Sequence, residues 1–235
     1  MKRIAAPVRP RHSFMWQVLT LAAVTLASTA GCSGGLRSGE SAPVVYVLRA
    51  SGTVASGTAT SGAARAADPA AAPVAPSLQV VRVAAGPGYA SDSILLTRVD
   101  RSLDVYSRGK WAEPLPRVLN ALAVDSLRAA GGWSAVHDDA APFAADYTLR
   151  FTIRRFDADY TGGGSDTAPR IRVILDCTVA RRSDRKVLGT FVAEAEQLAA
   201  DNRMAAVIAA FEQAAQAAMT TVAAQARAAV ARALG

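Results

Sequence analysis

Two segments in the second half of the chain alternate apolar and polar residues. In 147–156 the apolar side chains occupy every second position until the alternation shifts by one residue near Arg155, which predicts a β-bulge. In 170–179 the alternation is continuous, and a polar turn at 183–186 leads into a further alternating run at 187–193. Because such alternation is typical of half-buried antiparallel strands, these segments predict three antiparallel strands.

Four shorter apolar runs are also typical of strands. They lie at 44–48, 78–83, 94–98 and 102–106, and the last two flank a tight connection at Asp100–Arg101. We therefore expect the last two to be neighbouring strands.

Two segments repeat apolar residues at the 3.6-residue spacing of an amphipathic helix. The first follows Pro114, whose missing N–H is tolerated in a first helical turn, and stops at Gly131–Gly132. The second runs from about Asn202 to Ala233, with Asp201 as its N-cap. The sequence thus predicts an α+β fold: an antiparallel-rich sheet with two main helices packed on one face, the C-terminal helix being long.

The N-terminus has the layout of a bacterial lipoprotein signal. Basic residues without acidic ones precede an apolar run from Phe14 to Ala30, and small residues lead to Cys32. We therefore expect residues 1–31 to be removed as a signal peptide and Cys32 to carry the lipid. Ser33, in place of an aspartate, predicts sorting to the outer membrane, with the protein anchored on its periplasmic face.

Two other interpretations of this N-terminal segment stay open. An ordinary signal peptidase could cut near Ala30 and leave Cys32 as an incidental thiol. The apolar run, about 17 residues long, also reaches the lower limit for an uncleaved membrane-spanning helix.

Composition divides the rest of the chain into a tether and one domain. Residues 32–43 are mostly small and polar, which predicts a flexible tether. The domain is expected to span 44–235, with an insertion at 50–77 made almost entirely of Ala, Gly, Ser, Thr and Pro. Such a segment buries too little apolar surface to become ordered, so we expect a disordered loop without a function of its own.

Charge and cysteine content narrow the functions considered. The chain carries 26 basic and 19 acidic residues, but the predicted signal peptide removes four basic ones, so the net charge falls from +7 to +3. This balance gives no support for nucleic-acid binding. An acylated Cys32 would leave Cys177 without a disulfide partner, so the domain would have to be stable through its core alone.

No residue pattern indicates a catalytic, metal or cofactor site. His137 is the one histidine of the mature chain, and we expect it in a solvated loop; a hydrolase would have to use it. Cys177 is expected to be an inert buried thiol on the apolar side of its strand. Gly162–Gly164 lacks the Lys and Ser/Thr of a phosphate-binding loop, and Glu194 and Glu196 share a strand face without groups that would tune them. The sequence therefore predicts a protein that is not an enzyme.

Four arginines occupy polar positions of two neighbouring predicted strands. If the strands pair, these side chains form one exposed basic face that could meet lipid phosphates or an acidic partner. The alternative is a solvated face with local salt bridges to Asp157 and Asp176. The arginines are Arg150, Arg154, Arg170 and Arg172.

The order of these features resembles the ABC-type transport auxiliary lipoprotein family, which includes the lipoprotein of the paraquat-inducible intermembrane transport system. The shared features are the lipidation site at Cys32, the strands at 44–48 and 78–83, a motif at 111–115 that opens a helix, a strand before a hairpin, and a long C-terminal helix. The resemblance covers most of residues 44–233. Its motif residues, with a structural or docking role, are Tyr46, Leu48, Trp111, Glu113, Pro114 and Leu115.

The resemblance implies a non-catalytic accessory that works beside an ABC permease and ATPase and a periplasmic protein with mammalian-cell-entry domains. Such an assembly moves lipids between the two membranes, and this chain would be its outer-membrane end. Trp111 would cover the start of its helix, and exposed sheet edges or loops would dock the partner. A lipoprotein chaperone or pilotin for an outer-membrane barrel or secretin is the alternative, and homo-oligomerisation is left open.

Overall fold

The computed structural model describes residues 42–50, 75–163 and 166–235. The predicted signal peptide at 1–31, the lipid-bearing Cys32, and most of the predicted tether and of the insertion at 50–77 lie outside these residues. Among the residues that are described, no helix combines the length and the apolar character needed to cross a membrane.

The described residues form nine strands and two helices, so the α+β prediction is confirmed. The helices are α1 (Leu115–Ala130) and α2 (Met204–Leu234). The strands are β1 (Val44–Tyr46), β2 (Leu78–Val80), β3 (Ala84–Ala85), β4 (Ser93–Thr97), β5 (Leu103–Trp111), β6 (Val136–His137), β7 (Tyr147–Asp159), β8 (Arg170–Arg181) and β9 (Val187–Leu198).

Strand β7 lies at the centre of the sheet, and β8 and β9 follow it as antiparallel neighbours. The β7–β8 register shifts between Ile153 and Arg155, which confirms the predicted bulge. Because of this shift, Ile153 and Phe156 face the same side of the sheet although they are three residues apart. The turn into β9 contains Arg185 with a φ of 58°, a left-handed conformation typical of tight turns.

The other edge of β7 pairs with β2, β3 and β4 in succession, and all three are parallel to it. Strand β5 is antiparallel to β4, whereas β1 is parallel to β5 and β6 is parallel to β2. The sheet is therefore mixed rather than uniformly antiparallel. Alternation along a sequence indicates a strand but not its direction, because the direction depends on how the chain crosses between strands.

Both helices pack on one face of this sheet, as predicted. Helix α2 lies against β8 and β9, and α1 packs beside it and against β2 and β6. Helix α1 ends at Ala130 and is followed by Gly131, whose positive φ of 66° is readily adopted only by glycine. Helix α2 covers the alternate side chains of β8, which are completely or almost completely buried: Ile171, Val173, Leu175, Cys177 and Val179.

Several local predictions are wrong. The strand predicted at 78–83 is interrupted after Val80 and resumes as β3. Asp201 does not cap α2: its carboxylate accepts the backbone N–H of Arg203 at 2.8 Å, and the helix begins one residue later. His137 lies in β6, half-buried and 5.7 Å from the ring of Phe143, rather than in a solvated loop.

Candidate functional surface

The motif at 111–115 forms the junction between β5 and α1. The backbone N–H of Trp111 donates to the carbonyl of Asp92 at 2.7 Å, and that of Leu115 donates to the carbonyl of Ser91 at 2.9 Å. These two bonds tie the junction to the segment before β4. Leu115 is 1% exposed and begins the buried side of α1, so the apolar members of the motif hold the two elements together.

Trp111 is a core residue. It is 1% exposed, and its ring meets Phe211 of α2 edge-on at 5.4 Å and Phe156 of β7 edge-on at 6.0 Å. Phe156 and Phe211 stack on each other at 5.2 Å. Edge-to-face and stacked aromatic pairs add to the free energy of burial, so these rings join β5, β7 and α2.

The early strand is attached to the same junction. Tyr46 pairs with Trp111 across β1 and β5, and its carbonyl accepts the N–H of Ala112 at 3.0 Å. Leu48 follows β1 and is buried in the core. The structure thus brings Tyr46, Leu48 and Trp111 into one packed region although more than 60 residues separate β1 from the motif.

Glu113 and Pro114 are the exposed members of the motif. Glu113 pairs with Arg117 at 3.6 Å on the surface of α1, and the Pro114 carbonyl accepts the backbone N–H groups of Arg117 and Val118. Pro114 is the N-cap of α1 rather than a residue of its first turn. These contacts stabilise the helix start, and these two side chains, like that of Ala112, are accessible to a partner.

The four predicted arginines lie on the face of the sheet opposite the helices, which we call the outer face. Arg154 pairs with Asp176 at 2.8 Å, and Arg170 pairs with Glu196 at 3.3 Å. Arg172 lies between Glu196 at 3.0 Å and Asp159 at 3.2 Å. Arg150 is exposed and makes no ion pair with any residue the structure describes. Glu196 therefore does have charged partners, contrary to the sequence-based expectation.

The outer face as a whole is balanced in charge. The β7–β8–β9 register puts five arginines and five carboxylates on it, the fifth arginine being Arg155. Opposite charges on neighbouring strands stabilise a sheet, whereas a uniformly basic face would repel itself. The carboxylates are Asp157, Asp159, Asp176, Glu194 and Glu196.

One end of the outer face is buried around Asp157, which is inaccessible to solvent. Its carboxylate accepts the hydroxyl groups of Thr97 at 2.6 Å and Tyr89 at 3.2 Å and the Arg155 guanidinium at 2.9 Å. Tyr89 belongs to the segment that crosses this end of the sheet. Burial next to this negative charge raises the pKa of Tyr89, so its hydroxyl stays a donor at neutral pH.

Asp159 extends the buried group. It accepts the backbone N–H and the hydroxyl of Thr161 at 2.8 and 2.6 Å and pairs with Arg155 at 2.9 Å. Burial opposes ionisation, but these hydrogen bonds and the charges of Arg155 and Arg172 outweigh it and lower the pKa of Asp159. The carboxylate is therefore held ionised, which suits a structural ion pair and not a general acid.

The sequence did not predict that Asp157, Asp159 and their partners form one group of buried, interacting side chains. Asp157 and Asp159 follow the bulge on what becomes the outer face, and two acidic residues in an otherwise apolar strand segment were the available signal. Their partners Tyr89 and Thr97 are distant in the sequence, and only the fold brings them near.

A small cavity of about 420 Å³ opens at the end of the β4–β5 hairpin. It is lined by Leu96, Val99 and Tyr160, with Arg98 and Asp100 at its margin. The Tyr160 hydroxyl lies 2.9 Å from that of Tyr106, whose pKa is raised by burial and by this hydrogen bond. The hydrogen bond joins two uncharged hydroxyl groups, and it indicates a structural role rather than a catalytic one.

The remaining candidate residues stand apart from one another. Cys177 is 2% exposed on the core face, which confirms the predicted burial, and burial raises its pKa to about 12, so we expect an unreactive thiol. Within the described residues, no group of three or more His, Cys, Asp and Glu side chains is arranged to hold a metal ion. Cys32 lies outside those residues.

Comparison with known proteins gives one family and a shared fold. The family model described as ABC-type transport auxiliary lipoprotein component matches residues 59–223. The crystal structure of a Xanthomonas campestris protein of family DUF330 superposes with a TM-score of 0.64 at 24% identity, over 80% of this chain and 98% of that one. A structure of an uncharacterized protein superposes with a TM-score of 0.58 at 15% identity, over 79% and 99%. No curated protein matches the chain.

Proposed function

This chain belongs to the family of ABC-type transport auxiliary lipoproteins, and we propose that it is the outer-membrane end of a system that moves lipids between the two membranes. In this role it is a periplasmic, non-catalytic accessory, anchored by a lipid on Cys32. The single observation that carries the proposal is the family match over residues 59–223.

The anchor restricts where the domain can act. Nine residues lie between Cys32 and Ala42, the first described residue, and an extended chain over these ten steps spans at most about 35 Å. A lipidated Cys32 would therefore keep the start of the domain close to the membrane surface. Two or three acyl chains are needed for stable anchoring, because one chain binds a bilayer only marginally.

The chemistry of the domain supports binding rather than catalysis. The group of charged side chains around Arg155 on the outer face is occupied by ion pairs and hydrogen bonds within the domain. The Asp159 carboxylate in this group is held ionised, whereas a general acid needs a raised pKa. The arrangement favours a rigid body that presents surfaces to other proteins.

The proposed partners are a periplasmic protein with mammalian-cell-entry domains and the ABC permease and ATPase that drive transport. Docking would use sheet edges or loops, since the core face of the sheet is covered by α1 and α2. The motif at 111–115 would serve the fold first, because Trp111 and Leu115 are buried.

Crosslinking and mass spectrometry on the full-length protein in native envelopes test this proposal. We expect crosslinks to a protein with mammalian-cell-entry domains and an intact mass that shows acyl chains on Cys32. A Cys32→Ala variant should lose the acyl mass and leave the membrane fraction. The matched Cys177→Ala variant should keep both, because that thiol is buried in the domain.

Two outcomes would contradict the proposal. Crosslinks only to a secretin or to barrel-assembly components would favour the pilotin or chaperone alternative. An unacylated wild-type Cys32 would remove the anchor on which both functions depend.

A further inference from the structure

The two edges of the sheet differ in the length of their outermost strands. On one side the outermost strands are β1 and β6, which have three and two residues. On the other side the last strand is β9, which has 12 residues and pairs with β8 over nearly its whole length. Within the residues that the structure describes, β9 pairs with no other strand. Its outward edge therefore presents unpaired backbone N–H and C=O groups.

Strand β9 has few of the features by which proteins usually protect such an edge. Its sequence contains no proline, lysine or arginine, and the only shift in its register lies near its first residues. Three apolar side chains along it are about half exposed: Val187 at 55%, Val192 at 49% and Leu198 at 55%. A long, regular and partly apolar edge is suited to pairing with another extended segment.

Packing within the domain also orders β9 without a partner. Helix α2 packs against the core-facing side of β8 and β9, with Ala193 of β9 fully buried beneath it. A strand that is already ordered loses little conformational entropy on binding, which favours association.

The charges on β9 indicate what kind of segment fits. Glu194 and Glu196 both point to the outer face, and β9 carries no basic side chain. Glu196 is already paired with Arg170 and Arg172, whereas Glu194 is exposed and makes no ion pair with a described residue. Pairing β9 with a second β9 would bring two unpaired Glu194 carboxylates onto one face, so a basic partner is favoured over a second copy.

We infer that the free edge of β9 is the docking site for an extended segment of the transport partner, a segment that alternates basic with apolar side chains. A basic residue would lie against Glu194, and apolar residues would cover Val192 and Leu198. The identity of the partner rests on the proposed function, whereas the site rests on the sheet edge itself.

Hydrogen exchange locates the docking site. The full-length lipoprotein is measured alone and with the purified mammalian-cell-entry-domain protein of its transport system. We expect the outward-facing amides of 187–198 to exchange fast alone and to be protected in the complex. Amides in the β4–β5 turn at 98–102, at the other side of the sheet, should be unchanged.

A charge reversal tests the chemistry of the segment. Glu194→Lys should weaken the partner's affinity about tenfold, because it places like charges together at the site. Asp166→Lys is the matched control, since Asp166 is exposed and makes no ion pair in the described structure. It changes the net charge equally but should leave the affinity unchanged.

The possible results separate the inference from the proposed function. Binding that protects other segments but not β9, or that Glu194→Lys does not weaken, overturns the inference and leaves the proposed function standing. Protection of β9 in the lipoprotein alone, together with a dimeric mass, overturns it in favour of a second copy. No binding by the wild-type protein counts against both.

Discussion

The core face and the outer face of the sheet are built from the same three strands but are stabilised by different forces. On β8, Val173 and Leu175 point into the helices, while their neighbours Arg172 and Asp176 point to the outer face. The core face gains stability by removing apolar surface from water, in proportion to the area buried. The outer face relies on ion pairs, whose value depends on how far each pair is removed from solvent.

The outer face therefore has two parts that contribute unequally to stability. Asp157 is inaccessible to solvent and its carboxylate accepts hydrogen bonds from Arg155, Thr97 and Tyr89, so removing it leaves buried donors without their acceptor. Around Asp176 the charges are half exposed, and water can replace a lost partner. Similar ion-pair distances in the two parts should thus have very different energetic consequences.

The largest effect is expected from Trp111→Ala on the core face. The change removes a buried ring that contacts both Phe156 and Phe211, and we expect a loss of about 3–5 kcal/mol in the free energy of unfolding. Urea denaturation followed by circular dichroism measures it. Phe143→Ala, at a ring that is 63% exposed, is the control and should cost less than about 1 kcal/mol. Equal losses in the two variants would contradict the assignment of Trp111 to the core.

The next effect compares the two parts of the outer face. Asp157→Ala removes the acceptor of the Thr97 and Tyr89 hydroxyl groups and one of the two carboxylates paired with Arg155, and we expect a cost of about 3 kcal/mol. Asp176→Ala breaks the exposed pair with Arg154 at 2.8 Å and should cost less than about 1 kcal/mol. The same denaturation measurement applies, and a larger cost for Asp176→Ala would reverse our division of the face.

A smaller effect is expected on the stability of the fold at low pH. The folded pKa of Asp159 is below its ordinary value of 3.8, so the unfolded chain binds the proton more readily. The stabilisation is complete above the unfolded pKa and is lost as the pH falls through the lower folded value. Denaturation midpoints measured from neutral pH to about pH 2 should fall less steeply in Asp159→Asn than in the wild type. Parallel curves would show that Asp159 does not contribute to acid unfolding.

The smallest effect is expected in chemical labelling of Cys177, which tests whether the core face excludes solvent. Its thiol is 2% exposed and its pKa is raised to about 12, so maleimide at neutral pH should leave it unmodified in the folded protein. Denaturant should make it fully reactive, and mass spectrometry measures both states. Rapid labelling of the native protein would show that the face opens.

The elements with a regular pattern were predictable from the sequence. Strands β7 to β9, the bulge before Arg155 and the end of α1 at Gly131 follow from residue periodicity and glycine chemistry, which are local. The start of α2 was missed because Asp201 has the composition of an N-cap, while its carboxylate bonds the residue that precedes the helix. A favourable residue type near a helix start does not decide which residue begins the helix.

The candidate surface was predictable only in part. The sequence placed the four arginines on one side of two strands, because alternation determines the side. It named Asp157 and Asp176 as local partners, and Arg154 does pair with Asp176. It could not assign the others: Arg172 meets Asp159 and Glu196, and Asp157 meets Thr97 and Tyr89, which lie 60 and 68 residues away. Partner choice depends on strand order, and β4 and β2 both lie beside β7 for reasons that no local pattern contains.

The sequence by itself determined the fold class, the long C-terminal helix and the family, because these depend on periodicity and on the order of motifs along the chain. Only the tertiary structure decided that the sheet is mixed, that Trp111 is a core residue and that β9 has a free edge. The physical reason is that side-chain direction is a local property of a strand, whereas strand neighbours and burial arise from contacts between distant segments.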